Sequence, residues 1–250
     1  IIILMYFTDF RVALDIHGFL GLYQLPSMAS YLIVIIGMLA IINSYNLIDG
    51  IDGLAAIVAI IIFSSFGIIF FIAGGLWYWV LICCSFIGML SAFLIYNFSN
   101  NNKIFMGDTG SLLIGFYIGI CSIKFIDMET LSLANFSFLP ENIFYILLSI
   151  LWIPIFDMIR VMFVRIKAKN NPFYPDRNHL HHILIDNGFR HRQIAIFLGI
   201  TNYMSIIGIG LLSTYLNYKE MLVVAIILFI LFLLIVKKVK KLTGLNLKKK

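Results

Sequence analysis

Residues 31–73 read YLIVIIGMLAIINSYNLIDGIDGLAAIVAIIIFSSFGIIFFIA. Two apolar runs, each long enough as a helix to cross about 30 Å of hydrocarbon, flank a block carrying two asparagines, two aspartates and two glycines. An Asp at the centre of a membrane helix costs about 3 kcal/mol, so burying Asp49 and Asp52 in lipid would cost roughly 6 kcal/mol together. The block must therefore face water, a cation or a ligand, and the runs on either side read as two membrane spans joined there.

The rest of the chain repeats the pattern. Of its 250 residues 62% are hydrophobic and only 12% charged, with a mean hydropathy of +1.01. This composition predicts an all-α fold, a polytopic transmembrane helical bundle in a single membrane domain over 1–250. Full spans are expected near 30–46, 53–73, 77–97, 109–126, 142–164, 194–216 and 219–236. The opening IIILMYF is apolar but too short to cross, lacks an initiating Met, and reads as the end of a further helix. Cys83, Cys84 and Cys121 fall inside spans and read as packing residues.

Fifteen of the eighteen lysines and arginines fall at one set of helix ends, seven of them in a basic tail over 237–250. Positive residues near short loops are retained in the cytoplasm, so these ends are expected on the cytoplasmic face of a bacterial inner membrane, with the tail as an orientation anchor beside anionic head groups. The net charge of +6 flanks helices without a recognition motif and gives no case for nucleic acid. With this orientation the loops at 43–53, 97–111 and 166–192 emerge together on the cytoplasmic side.

In the first loop Asn43, Asn46, Asp49 and Asp52 recur every three residues and would fan over one side of a helical turn, while Gly50 and Gly53 allow close approach. Such oxygens suit a hard cation or a phosphate; the plainer alternative is that Asp52 caps the next helix. In the second, Asp108 precedes Thr109, Gly110 and Ser111 at the start of an apolar run. It reads either as an N-cap or as a carboxylate for Mg2+ beside phosphate oxygens. Phe105 either stacks on a nucleobase or sits in the membrane interface. In the third, Pro172 and Pro175 precede Arg177, His179, His181 and His182. A zinc site would want a fourth ligand at suitable spacing, so phosphate binding by the guanidinium and imidazoles is the stronger reading.

Four ordered stretches, NSYNLIDGIDGLA (43–55), KIFMGDTGSLLIGF (103–116), PIFDMIRV (154–161) and PDRNHLHH (175–182), resemble the successive signatures of the polyprenyl-phosphate N-acetylhexosamine-1-phosphate transferases of glycosyltransferase family 4. The likeness runs from about Asp15 to about Ile200 and is nearest the bacterial undecaprenyl-phosphate GlcNAc-1-phosphate type. It implies transfer of a sugar-1-phosphate from a UDP-sugar to polyprenyl phosphate, with release of UMP and with Mg2+ (or Mn2+) as cofactor. By motif match, Asp108 and the amide oxygen of Asn46 would bind the metal, and Asp49 and Asp52 would shape the donor pocket beside Gly50 and Ser111. Phe105 would stack on uracil, and Arg177, His179, His181 and His182 would hold phosphates or sugar. Asp157 also matches a family position, or forms only a helix ion pair with Arg160.

The implied partners are the UDP-sugar, undecaprenyl phosphate and the bilayer, with a second copy of the chain as a candidate homodimer partner. The Asp-Asp motif that the family carries in an earlier loop does not occur in this sequence. Further helices are therefore expected upstream of Ile1, and 1–250 alone is expected to be weakly active or inactive. Asn100–Asn102 stand where the family usually carries Pro-Ala. CDP-alcohol phosphotransferases also use Asp-Gly repeats, but DGLAAIVAI lacks the Arg they require. A transporter or a non-catalytic scaffold of polysaccharide assembly is the alternative function.

Overall fold

The computed structural model describes residues 14–171 and 178–247, with the backbone alone from residue 240 onward. Among the described residues nine helices of seven residues or more carry the fold: α1 (Ser27–Ile48), α2 (Leu54–Ile72), α3 (Trp77–Asn97), α4 (Gly107–Ile126), α5 (Ile143–Ile150), α6 (Trp152–Lys167), α7 (Leu180–Asp186), α8 (His191–Leu212) and α9 (Tyr218–Leu247). No strand forms among the described residues. Six of the helices (α1–α4, α8 and α9) are long and apolar enough to cross a membrane. In hydrocarbon every backbone polar group must be satisfied internally, and apolar runs of this length can do so only as helices. The chain is a polytopic all-α membrane bundle. The opening segment IIILMYF lies outside the described residues.

α2 is the central helix, apolar all round, with Val58, Ala59, Ile62, Phe63, Phe66 and Phe70 fully buried. It packs against α3, α8 and α4, while α1 packs against α4 and α6. Serines inside the spans stay quiet by donating to their own helix, as Ser65 does to Ile61 O (2.8 Å) and Ser122 to Ile118 O (2.8 Å). The α1–α4 contact is closest at small residues. A Cβ on Gly115 would lie 3.0 Å from Ile42 Cα, and one on Gly119 would collide with Met38 Sδ. Missing side chains there let the two backbones approach, as small residues do between membrane helices. The closeness brings the last turn of α1 against the first turn of α4.

The helix expected over 142–164 is broken. Residues Pro140–Ile150 and Trp152–Lys167 are inclined by 77°, and the chain between them turns at Leu151. Pro154 is the cause: it has no N–H for the Ile150 carbonyl, and its ring clashes with that carbonyl in a continuous helix. The polar groups freed at the break are taken up by α8. Asn202, fully buried, donates to Ile150 O (3.1 Å) and accepts from Ile153 N (3.0 Å), and Ser205 donates to Ser149 O (2.9 Å). The other span boundaries differ from expectation by a few residues at most ends. α8 starts three residues early at His191, and α9 continues to Leu247, well past the expected 236.

Asn202→Leu leaves one buried carbonyl and one buried N–H without partners, so thermal unfolding in detergent should show a loss of roughly 1–3 kcal/mol. Ser205→Ala, which removes a hydroxyl that also has a partner in its own helix, should cost less.

Candidate active site

The three polar loops meet at one end of the bundle, held by side chains from the helix ends. Asn97, the last residue of α3, accepts from Gly53 N (2.6 Å) and donates to Ile104 O (2.8 Å), joining the first loop to the second. Gly53 has φ 77, and the ring of Phe98 fills the space its side chain would need, so glycine is required at this turn on both counts. Gly53 occupies the cap position of α2, so Asp52 is not its cap. Asp108 lies inside the first turn of α4, whose cap position is Met106, so it does not act as an N-cap either.

Asn46 and Asp108 meet across the α1–α4 contact. The Asn46 amide nitrogen donates to Asp108 Oδ1 (3.3 Å) and to Ser111 Oγ (2.7 Å). Ser111 is fully buried and passes its own proton to carbonyls of its helix, so it holds Asn46 in place and does not line the groove described below. Asp49 follows α1 directly. Burial, and after it the charge of Asp108, push the Asp49 carboxyl up to about 6. Two carboxylates crowded beside an amide form a donor set that a divalent cation would relieve, and such a cation needs only one or two carboxylates from the protein. Among the described residues no cluster of three or more His, Cys, Asp or Glu has metal-binding geometry. A carboxylate pair with an amide fits a hard cation better than zinc.

A groove of about 880 Å³ opens beside this cluster, between α1 and α6. Its polar end is lined by Asn43, Asn46, Asp49, Arg165, His179, His181 and His182, and its apolar wall by Ile36, Leu39, Ala40, Met158, Val161 and Met162. Asp157 organises the histidines. Its Oδ1 accepts from Arg160 Nη2 (2.7 Å) and Nε (3.1 Å), and its Oδ2 from His179 Nδ1 (3.0 Å). It also accepts from Leu180 N (3.1 Å), the first residue of α7, and so caps that helix from α6. The Arg160 guanidinium bonds in turn to Asn178 O. Asp157 is thus an ion-pair partner and also the anchor of the histidine segment. Because Nδ1 of His179 must carry the proton it gives to Asp157, Nε2 is the nitrogen left for other partners.

His181 is buried against Gly50, where a Cβ would collide with its Nε2. Desolvation, and next the neighbouring His182, push its imidazole down to about 4, so it is neutral at pH 7. Its Nε2 has no hydrogen-bond partner. A buried ring nitrogen in that state is a group awaiting a ligand or water. The His181 and His182 rings lie 4.2 Å apart between centroids.

Asp52 departs from the fan expected of the first loop. It does not line the groove with Asn46 and Asp49, and its Oδ2 accepts from Lys103 Nζ (2.7 Å) and His191 Nδ1 (3.0 Å). Partial burial pushes its carboxyl up, but the hydrogen bonds from Lys103 and His191 outweigh this and hold it below the usual range. Phe105 is 74% exposed with Lys103 Nζ 5.2 Å from its ring centre, so its face is open to a planar partner. Asn46, Asp49, Asp108, Gly50 and the three histidines therefore converge at one place, and Asp52 and Phe105 at its flank. Arg177 lies outside the described residues.

Asn97, Arg165 and His191 were not legible as site residues. Their partners or neighbours lie far away in sequence, and an asparagine closing an apolar helix is the only local hint of the first.

The raised carboxyl of Asp49 makes stability depend on pH. Its folded value of about 6 stands above the unfolded 3.8, so the folded chain holds more protons between them. That contribution is complete below about pH 3.8 and is lost as pH rises through 6. In detergent without divalent cations the melting temperature should fall over this window. Asp49→Asn should flatten that part of the profile.

The family model for glycosyl transferase family 4 matches residues 1–126. The undecaprenyl-phosphate alpha-N-acetylglucosaminyl 1-phosphate transferase of Escherichia coli strain K12 is 30% identical over 193 residues, 75% of this chain and 49% of the relative. The protein of that name from Salmonella typhi is 29% identical over the same shares. A probable undecaprenyl-phosphate N-acetylglucosaminyl 1-phosphate transferase of Bacillus subtilis strain 168 is 34% identical over 182 residues, 73% of this chain and 48% of the relative. The chain spans about half the length of the curated relatives it matches. Its matched first half contains Asn46, Asp49 and Asp108 at the meeting ends of two helices in close contact, and on both sequence and architecture the chain belongs to glycosyl transferase family 4.

Proposed function

We propose that the complete protein transfers a sugar-1-phosphate, GlcNAc-1-phosphate by the names of its relatives, from a UDP-sugar to undecaprenyl phosphate. Transfer takes place at the cytoplasmic face of a bacterial inner membrane and begins a lipid-linked envelope polysaccharide. The observation that carries this reading is the groove between α1 and α6. One end presents carboxylates, an amide, imidazoles and Arg165, and its wall is apolar along the helix faces. A lipid phosphate has that same division, a charged head and a long hydrocarbon chain.

In this reading an oxygen of the lipid phosphate attacks the β-phosphorus of the donor. The bond from that phosphorus to the bridging oxygen breaks, and UMP leaves with the electron pair. One phosphoanhydride replaces another, so the step is close to isoenergetic, and the protein contributes alignment and charge neutralisation. Mg2+ (or Mn2+), held by Asp108 and the Asn46 amide oxygen with Asp49 alongside, would neutralise the diphosphate oxygens. His179, fixed by Asp157, and neutral His181 offer ring nitrogens at the polar end, where they orient phosphate or sugar oxygens. Arg165 supplies fixed positive charge beside them. The apolar wall keeps the first isoprene units against α1 and α6 and excludes water from the lipid side. At the flank, Phe105 offers its face to uracil and Asp52 borders the nucleotide.

Membranes containing the full-length protein, incubated with labelled UDP-sugars and polyprenyl phosphate, should release UMP and yield labelled lipid with one preferred donor. Asp108→Asn should lower UMP release at least 100-fold at any Mg2+ concentration. Unchanged release would sink the assignment of Asp108, and flux of a sugar without UMP would favour transport.

A further inference from the structure

We propose that His191 is a positioning residue for the donor nucleotide: together with Lys103 it fixes one oxygen of Asp52 and so presents the other to the bound nucleotide. This inference rests on the reading of the protein as a UDP-sugar transferase.

Two donors from different loops converge on a single carboxylate oxygen. Lys103 Nζ stands 2.7 Å and His191 Nδ1 3.0 Å from Asp52 Oδ2. A carboxylate only accepts, so Nδ1 of His191 must carry the proton. With both donors on Oδ2, Oδ1 remains as an acceptor for an N–H or O–H of a ligand. The Asp52 side chain is only 20% exposed, so few rotations are open to it once both donors are in place.

The next residue of α8 holds the same turn through a second contact. The Arg192 guanidinium lies 5.3 Å from the centre of the Phe98 ring, and that ring covers Gly53. Gly53 N is in turn bonded to Asn97. The first two residues of α8 therefore grip the Asp52–Gly53 turn, one through a carboxylate and one through a ring. Lys103 alone would be a poor clamp. It is a flexible four-carbon chain ending in a point charge, and the same ammonium also lies over Phe105. His191 supplies the rigid second donor, and it couples the helix that follows the histidine segment to the nucleotide side of the site. The sequence separation between His191 and Asp52 is 139 residues, so nothing local announces the pair.

The test is steady-state kinetics of the full-length protein in membranes or detergent, with UDP-GlcNAc and polyprenyl phosphate varied separately. His191→Ala should raise the donor KM at least fivefold, change kcat less than twofold and leave the KM for polyprenyl phosphate unaltered. His191→Asn, whose amide can donate to the same oxygen, should recover most of the loss. His191→Phe keeps the bulk of the ring without a donor and should behave like the alanine variant. A donor KM within twofold of wild type in both the alanine and phenylalanine variants would overturn the proposal. So would a parallel rise in both KM values that His191→Asn does not rescue, since that marks general loosening of the loop. Absence of UMP release by the wild-type protein would instead fail the functional reading itself.

Discussion

The close approach of α1 and α4 is the contact on which the site depends. Gly115 and Gly119 have no side chains to hold the helices apart, and the Ile42 backbone comes within 3.0 Å of where a Gly115 Cβ would stand. In lipid this closeness draws on dispersion and packing, because apolar side chains lose no water by meeting. Its consequence is chemical. Asn46 at the end of one helix reaches Asp108 and Ser111 at the start of the other, and Asp49 is carried to where the charge of Asp108 is felt.

The second support is the broken helix. A continuous helix over 142–164 would send Asp157, Arg160 and Arg165 along a different axis. Pro154 opens the ladder, and Asn202 and Ser205 of α8 satisfy the Ser149 and Ile150 carbonyls and the Ile153 N–H inside an apolar bundle. From the redirected α6, one buried carboxylate then fixes His179 and caps α7. Packing and chemistry are linked there: the residue that starts the short helix also decides which imidazole nitrogen faces outward.

Much of this was legible in the sequence. Apolar run length gave the spans, and the cost of burying Asp49 and Asp52 placed them at a polar end. Four motifs in order pointed to the family. The bend at Leu151 was missed, although Pro154 was in view, because hydropathy is blind to direction and the run is apolar on both sides of the break. Asn43, Asn46 and Asp49 of the expected fan line one groove and Asp52 does not, since α1 ends at Ile48 and the chain leaves the helical path before Asp52. The capping readings of Asp52 and Asp108 failed for a similar reason: glycine and the preceding methionine take those cap positions. Asn97 left one local hint and His191 and Asn202 none, because each acts on a backbone or carboxylate that only the fold brings near.

We propose that helix proximity makes one cation site from Asn46, Asp49 and Asp108. Titration of Mn2+ into the purified protein, followed by electron paramagnetic resonance, tests it most directly when wild type is compared with Gly115→Leu. That substitution leaves every oxygen ligand in the chain but forces α1 away from α4. One saturable Mn2+ per wild-type chain is expected, with at least a tenfold weaker affinity in Gly115→Leu. Equal binding by the two proteins would contradict it.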